Sequence, residues 1–147
     1  SYSLVSSILR TPSFKREEER LISEARELLK IFGLEKKESH LARNLPYGEQ
    51  RRLEIARALA IHPKVLLLDE PAAGMNPNET KELTGLIRWV RDHFKIAIVL
   101  IEHDMALVMN VCERIYVLDH GVEIAQGTPI QIQSNPAVIE AYLGAQT

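Results

Sequence analysis

Apolar positions along the 147-residue chain recur either every three to four residues or in short unbroken runs, and the alternation of the two patterns predicts the order of elements. Between Glu17 and Phe32 the residues Leu21, Ile22, Ala25, Leu28, Leu29 and Phe32 return at helical spacing. Glu17, Glu18 and Glu19 fall in the first turn of this helix and Lys30 near its end, as the helix dipole favours, and Gly33 follows where a left-handed cap is expected. A polar stretch from Glu35 to Asn44 leads to Leu45-Pro46-Tyr47-Gly48-Glu49-Gln50. Beyond it Leu53, Ala56, Leu59 and Ala60 mark a second helical face that runs to about His62 and is ended by Pro63.

The pattern then changes. Val65-Leu66-Leu67-Leu68 is too short for a helix and apolar on both sides, which predicts a strand covered on both faces, and it runs into Asp69-Glu70-Pro71. Asn76-Pro77-Asn78-Glu79 reads as an N-cap, a proline in the first turn and a capping-box glutamate, opening a helix with Leu83, Leu86, Ile87, Val90 and Phe94 inward. Ile96 to Ile101 predicts a second strand buried on both faces. Met105, Val108, Met109 and Cys112 suit a short helix, and Ile115 to Leu118 a third strand. His120-Gly121 is a turn, from which Val122 to Ala125 can pair back. Thr128-Pro129 and Asn135-Pro136 look like helix starts, with Gly144 closing the last helix. The expected class is α/β with a mainly parallel sheet: a helical piece over 1–62, then a layered core over 63–147.

Composition narrows the function. With 46% hydrophobic and 26% charged residues the chain can bury a core, which excludes disorder and collagen-like repeats. Eighteen Lys and Arg against twenty Asp and Glu leave a net charge of −2, without the basic excess that nucleic-acid binding demands. No aliphatic run approaches the roughly 20 residues that span a bilayer, so no membrane-spanning segment is expected. Ser1 to Phe14 lacks the plan of a secretory signal and also an initiator Met, which suggests a fragment. One cysteine, Cys112, cannot form an internal disulfide and suits a reducing compartment. Cys112, Met105 and Met109 share a helical stripe and read as core.

Ligands of open parallel sheets collect beyond the carboxyl ends of the strands. There the chain places Asp69-Glu70 after one strand and Glu102-His103-Asp104 after the next. Such groups can hold a divalent cation, polarise a water and donate to a phosphate oxygen. Taken singly, each is more often an acidic turn or a capping residue.

Their order decides between these readings. The chain resembles the ATP-binding subunits of ABC transporters, with Val65 to Asp69 as the Walker B strand, Glu70 after it, Ala73-Gly74-Met75-Asn76 as the D-loop and His103 as the switch histidine. Leu45, Pro46, Tyr47, Gly48, Glu49 and Gln50 occupy the position of the LSGGQ signature, just before a helix whose N-terminus can face phosphate. Pro46 replaces the usual serine and Asn76 the usual D-loop aspartate. The stretches Thr11-Pro12-Ser13-Phe14, LPYGEQRRLEIARAL from Leu45, LDEPAAGMNP from Leu68, IEHDM from Ile101 and the GTP and AYLG of the tail are similar to branched-chain amino-acid importer ATPases.

The resemblance implies a P-loop NTPase-like ABC nucleotide-binding domain that hydrolyses ATP with Mg2+ to power amino-acid import. Glu70 and His103 would be catalytic, Asp69 would hold the metal, and the signature residues and Asn76 would meet nucleotide. It further implies transmembrane permease subunits and a second ATP-binding subunit as partners, and a cytoplasmic location at the inner face of the membrane. Residues 11–34 would border the permease or pack within the helical subdomain. None of the seven glycines is followed by lysine, so the phosphate-cradling Gly-Lys-Ser/Thr loop is absent. The resemblance therefore covers the C-terminal part of the domain, and the chain alone is expected to be inactive. Two alternatives stand beside it. A non-catalytic α/β interaction module would explain the missing loop but has no need of Asp69, Glu70 and His103 together. A chromosome or DNA-repair ATPase expects a long coiled coil before Leu45, where one ordinary helix is predicted.

Overall fold

The computed structural model describes residues 12–143, so Thr11 and Gly144 lie outside the described residues. Two compact units result, one ending at Pro63 and the other beginning at Lys64.

In the first unit, helix α1 covers Pro12–Ile31 and helix α2 covers Tyr47–Leu59, joined through single 3-10 turns at Glu35–Lys37 and Ala42–Asn44. α1 ends as its glycine predicts. Gly33 takes φ +69°, its N–H donates to the Lys30 carbonyl at 3.1 Å, and the Leu34 N–H reaches back to the Leu29 carbonyl at 2.7 Å. This left-handed cap satisfies two end carbonyls and turns Leu34 inward, where it is buried together with Phe32, Leu45, Ile55, Ala56 and Leu59. The start of α1 differs from expectation. Proline is admitted in a first turn, so the helix begins at Pro12, and Glu17, Glu18 and Glu19 stand in its second turn instead. Leu21 and Ile22 are also exposed, and the ion pairs that α1 makes with later described residues lie along its C-terminal half. There Arg26 meets Glu38 at 2.9 Å and Glu24 lies 3.8 Å from His62.

In the second unit, strand β1 (Val65–Asp69) and strand β2 (Ala97–Ile101) pair in parallel, Val65 opposite Ala97 and Asp69 opposite Ile101. Helix α3 (Pro77–Phe94) makes the crossover that a parallel pair requires. Its inward stripe is Leu83, Ile87 and Val90, with Leu86 and Phe94 half-buried. Helix α4 (Met105–Val111) follows, then strand β3 (Ile115–Asp119) and strand β4 (Val122–Gly127), which form an antiparallel hairpin. The hairpin turn is His120-Gly121, with φ +47° and +80°, the positive pair that a two-residue turn matching strand twist needs. Helix α5 (Pro129–Gln133) and helix α6 (Pro136–Val138), continued as a π-turn over Ile139–Leu143, complete the described chain.

The core of this unit joins Val108, Ile115, Val117, Ile132 and Val138, with Met109 and Cys112 packed against it. Leu107, which the helical spacing had not singled out, is buried deeper than either Met109 or Cys112.

Two expectations for the sheet are corrected. Neither β1 nor β2 is covered on both faces: Leu66 is 4% exposed but Leu67 73%, and Val65, Val99 and Ile101 lie open beside it. The alternation of side chains along a strand puts these residues on the face that no described residue of the unit covers. Nor does β3 extend the parallel pair. Among the described residues it hydrogen-bonds to β4 alone, giving two two-stranded sheets. A cavity of about 600 Å3 is lined by Val99 and Ile101 of β2 and by Tyr116 and Leu118 of β3.

Truncating Leu107 to alanine should cost about 2–5 kcal/mol of unfolding free energy in urea, against at most about 0.5 kcal/mol for Leu67→Ala on the open face. Burial pushes the Cys112 thiol up from its ordinary value. At pH 8 it then holds less thiolate than an unfolded cysteine, so alkylation should be slower in the native protein and recover in denaturant.

Candidate functional site

The parallel register brings both strand exits to one rim. Asp69, the last residue of β1, faces Ile101, the last of β2, and the next N–H, that of Glu70, still donates to the Ile101 carbonyl at 2.8 Å. Glu70 then takes φ +43°, a left-handed conformation uncommon for a glutamate, and Gly74 takes φ +75°. Between them the Ala73 N–H donates to the Glu70 carbonyl at 3.1 Å and the Met75 N–H to the Ala72 carbonyl at 3.0 Å, so the chain leaves the strand in two tight turns. α3 follows at once. Asn76 Oδ1 accepts from the Asn78 and Glu79 amides at 3.0 and 3.1 Å, and the Glu79 carboxylate accepts from the Asn76 N–H at 2.9 Å.

From the other strand, His103 Nδ1 comes within 3.6 Å of Glu70 Oε1. Both side chains are open to solvent, at 70% and 54% exposure. The separation is longer than a hydrogen bond. It leaves the carboxylate able to accept from a water, and the imidazole able to donate to an anion, from one side of the rim. Asp69 is exposed beside them. Asp104, grouped with His103 from the sequence, is a cap: its Oδ1 accepts from the Leu107 N–H at 3.0 Å. Glu102 is different again. Its side chain is 1% exposed, and its oxygens accept from the backbone N–H groups of Ala72, His103 and Asp104. Sequence reading placed Glu102 at the rim as one more acidic residue, since nothing in a primary pattern reveals that a rim glutamate points inward. Among the described residues no three His, Cys, Asp or Glu side chains are grouped to hold a metal ion.

The signature stretch is described within its own unit. Tyr47, Gly48, Glu49 and Gln50 do not precede the helix but form its first turn, with Pro46 as a cap that lacks a side-chain hydrogen bond. Leu45, expected among the nucleotide-binding residues, is buried in the core of the unit, and its carbonyl accepts from Gln50 Nε2 at 2.8 Å. Glu49 is paired with Lys37 Nζ at 2.8 Å. Arg51 is held on both sides. It donates to the Tyr47 hydroxyl at 2.8 and 3.1 Å, its guanidinium stands 5.1 Å above the Tyr47 ring, and it meets Glu54 at 2.7 Å. The Glu54 hydrogen bond holds the guanidinium pKa above its ordinary value. The Lys37–Glu49 pair has no mark in the sequence, because it depends on how the loop before α2 folds back, whereas Tyr47 and Arg51 are an i,i+4 pair within α2.

A parallel strand pair joined by a helix, with acidic and imidazole groups at its carboxyl ends, is the frame of an α/β nucleotide-binding domain. Comparison with known proteins makes this specific: the chain belongs to the ATP-binding cassette family. The ABC transporter model matches residues 5–73, and the model of the branched-chain amino acid ATP-binding cassette transporter matches residues 123–146. The chain is 52% identical to the high-affinity branched-chain amino acid transport ATP-binding protein LivG of Escherichia coli K12, covering 96% of this chain and 55% of LivG. It is 44% identical to BraF of Pseudomonas aeruginosa, of the same description, covering 97% of this chain and 56% of BraF. Among solved structures it is similar to the ADP conformation of MJ1267, an ATP-binding cassette of an ABC transporter. There the TM-score is 0.77 at 28% identity, over 97% of this chain and 57% of that one. The chain thus spans about half the length of the curated relatives it matches.

Asn76→Ala should destabilise the fold by about 1 kcal/mol through loss of the cap, whereas Asn76→Asp, which keeps the accepting oxygen, should be close to neutral in thermal unfolding.

Proposed function

We propose that this chain is the C-terminal part of an ABC ATPase subunit that drives import of amino acids, branched-chain ones in particular. The observation that carries the reading is the approach of His103 to Glu70 at the carboxyl ends of two paired parallel strands. In this reading Glu70 polarises the attacking water and His103 steadies the γ-phosphate. Asp69 suits the Mg2+ of the nucleotide, since that ion is bound through one or two carboxylates and completes its shell with phosphate oxygens and water. When bound, the ion would neutralise charge that develops on the phosphates. Tyr47, Gly48 and the first amides of α2 would face nucleotide held by a second ATP-binding subunit. Leu45, Glu49, Gln50 and Asn76 keep that segment and the D-loop in shape through the contacts described above.

Permease subunits are the proposed membrane partners, reached from the cytoplasmic face. Among the described residues no helix is long and apolar enough to cross a membrane. Without a Gly-Lys-Ser/Thr loop the chain has nothing to cradle the triphosphate, and we propose that it is inactive alone. The second reading is an interaction module that keeps the fold without the chemistry.

Calorimetric titration with Mg-ATP separates the two. The ATPase reading expects no binding by the chain alone and binding once a segment carrying the phosphate loop is supplied. In the full-length protein Glu70→Gln should then abolish hydrolysis and spare ATP binding. Absence of binding even with the phosphate-loop segment would establish the interaction module instead.

A further inference from the structure

We infer that Glu102 is a positioning residue for the proposed hydrolysis: its buried carboxylate ties the loop that carries Glu70 to the loop that carries His103. The inference rests on the ATPase reading above.

The rim is open to solvent at Glu70 and His103, yet the side chain between them on the chain path is almost wholly buried. A buried carboxylate is costly unless its oxygens are compensated. Here the compensation comes from three backbone amides, divided between two loops. Oε2 accepts from the N–H of His103 at 3.0 Å and more distantly from that of Asp104 at 3.4 Å, both on its own loop. Oε1 accepts from the N–H of Ala72 at 2.8 Å, thirty residues away in sequence. A group that served only its own turn would need only Oε2. The bond to Ala72 makes Glu102 a bridge.

The bridged residue matters because of where it lies. Ala72 is two positions beyond Glu70, whose left-handed backbone persists only if its surroundings over-determine it. The loop is held before the bend by the Glu70 N–H on the Ile101 carbonyl and after it by the Ala72 N–H on Glu102. Both anchors come from β2 or its exit. The same carboxylate holds the His103 amide, so one side chain sets the two groups proposed to act on water and phosphate relative to each other. Only an acidic residue has two acceptor oxygens for this. Glutamine of nearly the same shape has one, and its amide nitrogen would face a backbone donor.

The test uses the full-length protein, with hydrogen exchange over 70–75 and 102–105 measured beside steady-state kinetics per folded molecule. Glu102→Ala should speed exchange in both segments and lower kcat about 10- to 100-fold, the effect expected of a misplaced reacting group. KM for Mg-ATP should stay within about twofold, because the bridge aligns groups without adding to ground-state binding. Glu102→Gln should give a smaller loss in kcat with the same split, and it carries the test where the alanine variant does not fold. Unchanged kcat with faster exchange would overturn the inference and reduce Glu102 to a structural tie. A raised KM at constant kcat would overturn it as well. A wild-type protein without ATP hydrolysis would overturn the ATPase reading itself, and this inference with it.

Discussion

Much of the second unit depends on one constraint, the parallel register of β1 and β2. A slip of one residue would send every side chain of a strand to the opposite face. With Val65 opposite Ala97, the even-numbered residues Leu66 and Ile98 turn to the better covered side. The same register ends both strands at one level, Asp69 against Ile101, so that Glu70 and His103 emerge as neighbours rather than a turn apart. Because the pair is parallel, it can be closed only by a crossover, and the capping box at Asn76 fixes where that crossover begins. Between Asp69 and Asn76 there is room only for tight turns, which accounts for the positive φ at Glu70 and Gly74.

The rim thereby divides into open and hidden groups with distinct work. Asp69, Glu70 and His103 face solvent, where a nucleotide phosphate, a cation and a water could be met. Asp104 and Asn76 are consumed as helix caps. Glu102 is turned inward, its oxygens shared between the two loops. Five carboxyl or imidazole groups in two short sequence runs thus hold three kinds of position, and composition alone treats them alike.

Among the described residues the parallel pair is bare on one face. Such pairs are ordinarily covered on both, and a contiguous apolar surface ordinarily meets a partner layer. Here Val65, Leu67, Val99 and Ile101 lie open, and a cavity is lined by residues of both β2 and β3. The curated relatives are nearly twice as long as this chain, and the ATPase reading assigns the missing cover to the remainder of such a domain.

The element order was legible from residue pattern because local rules governed it. Gly33 ends α1, Asn76-Pro77 starts α3 and His120-Gly121 turns the hairpin for reasons contained in a few neighbouring residues. The candidate rim was legible too, as motifs in the order of a family. Other features were not, because they depend on residues distant in sequence. An apolar run such as Val65 to Leu68 is the same string whether one face or both are covered, so its exposure depended on what packs against it. A strand like Ile115 to Leu118 carries no mark of its partner, and pairing with β4 prevailed because the hairpin closes through two residues. Glu102 reads as a surface acid until the fold brings the Ala72 amide, thirty residues away, to within 2.8 Å of its oxygen. Short-range chemistry wrote the elements, the caps and the motifs into the chain; burial and long-range hydrogen bonds, which exist only once distant segments meet, uncovered one strand face and turned Glu102 inward.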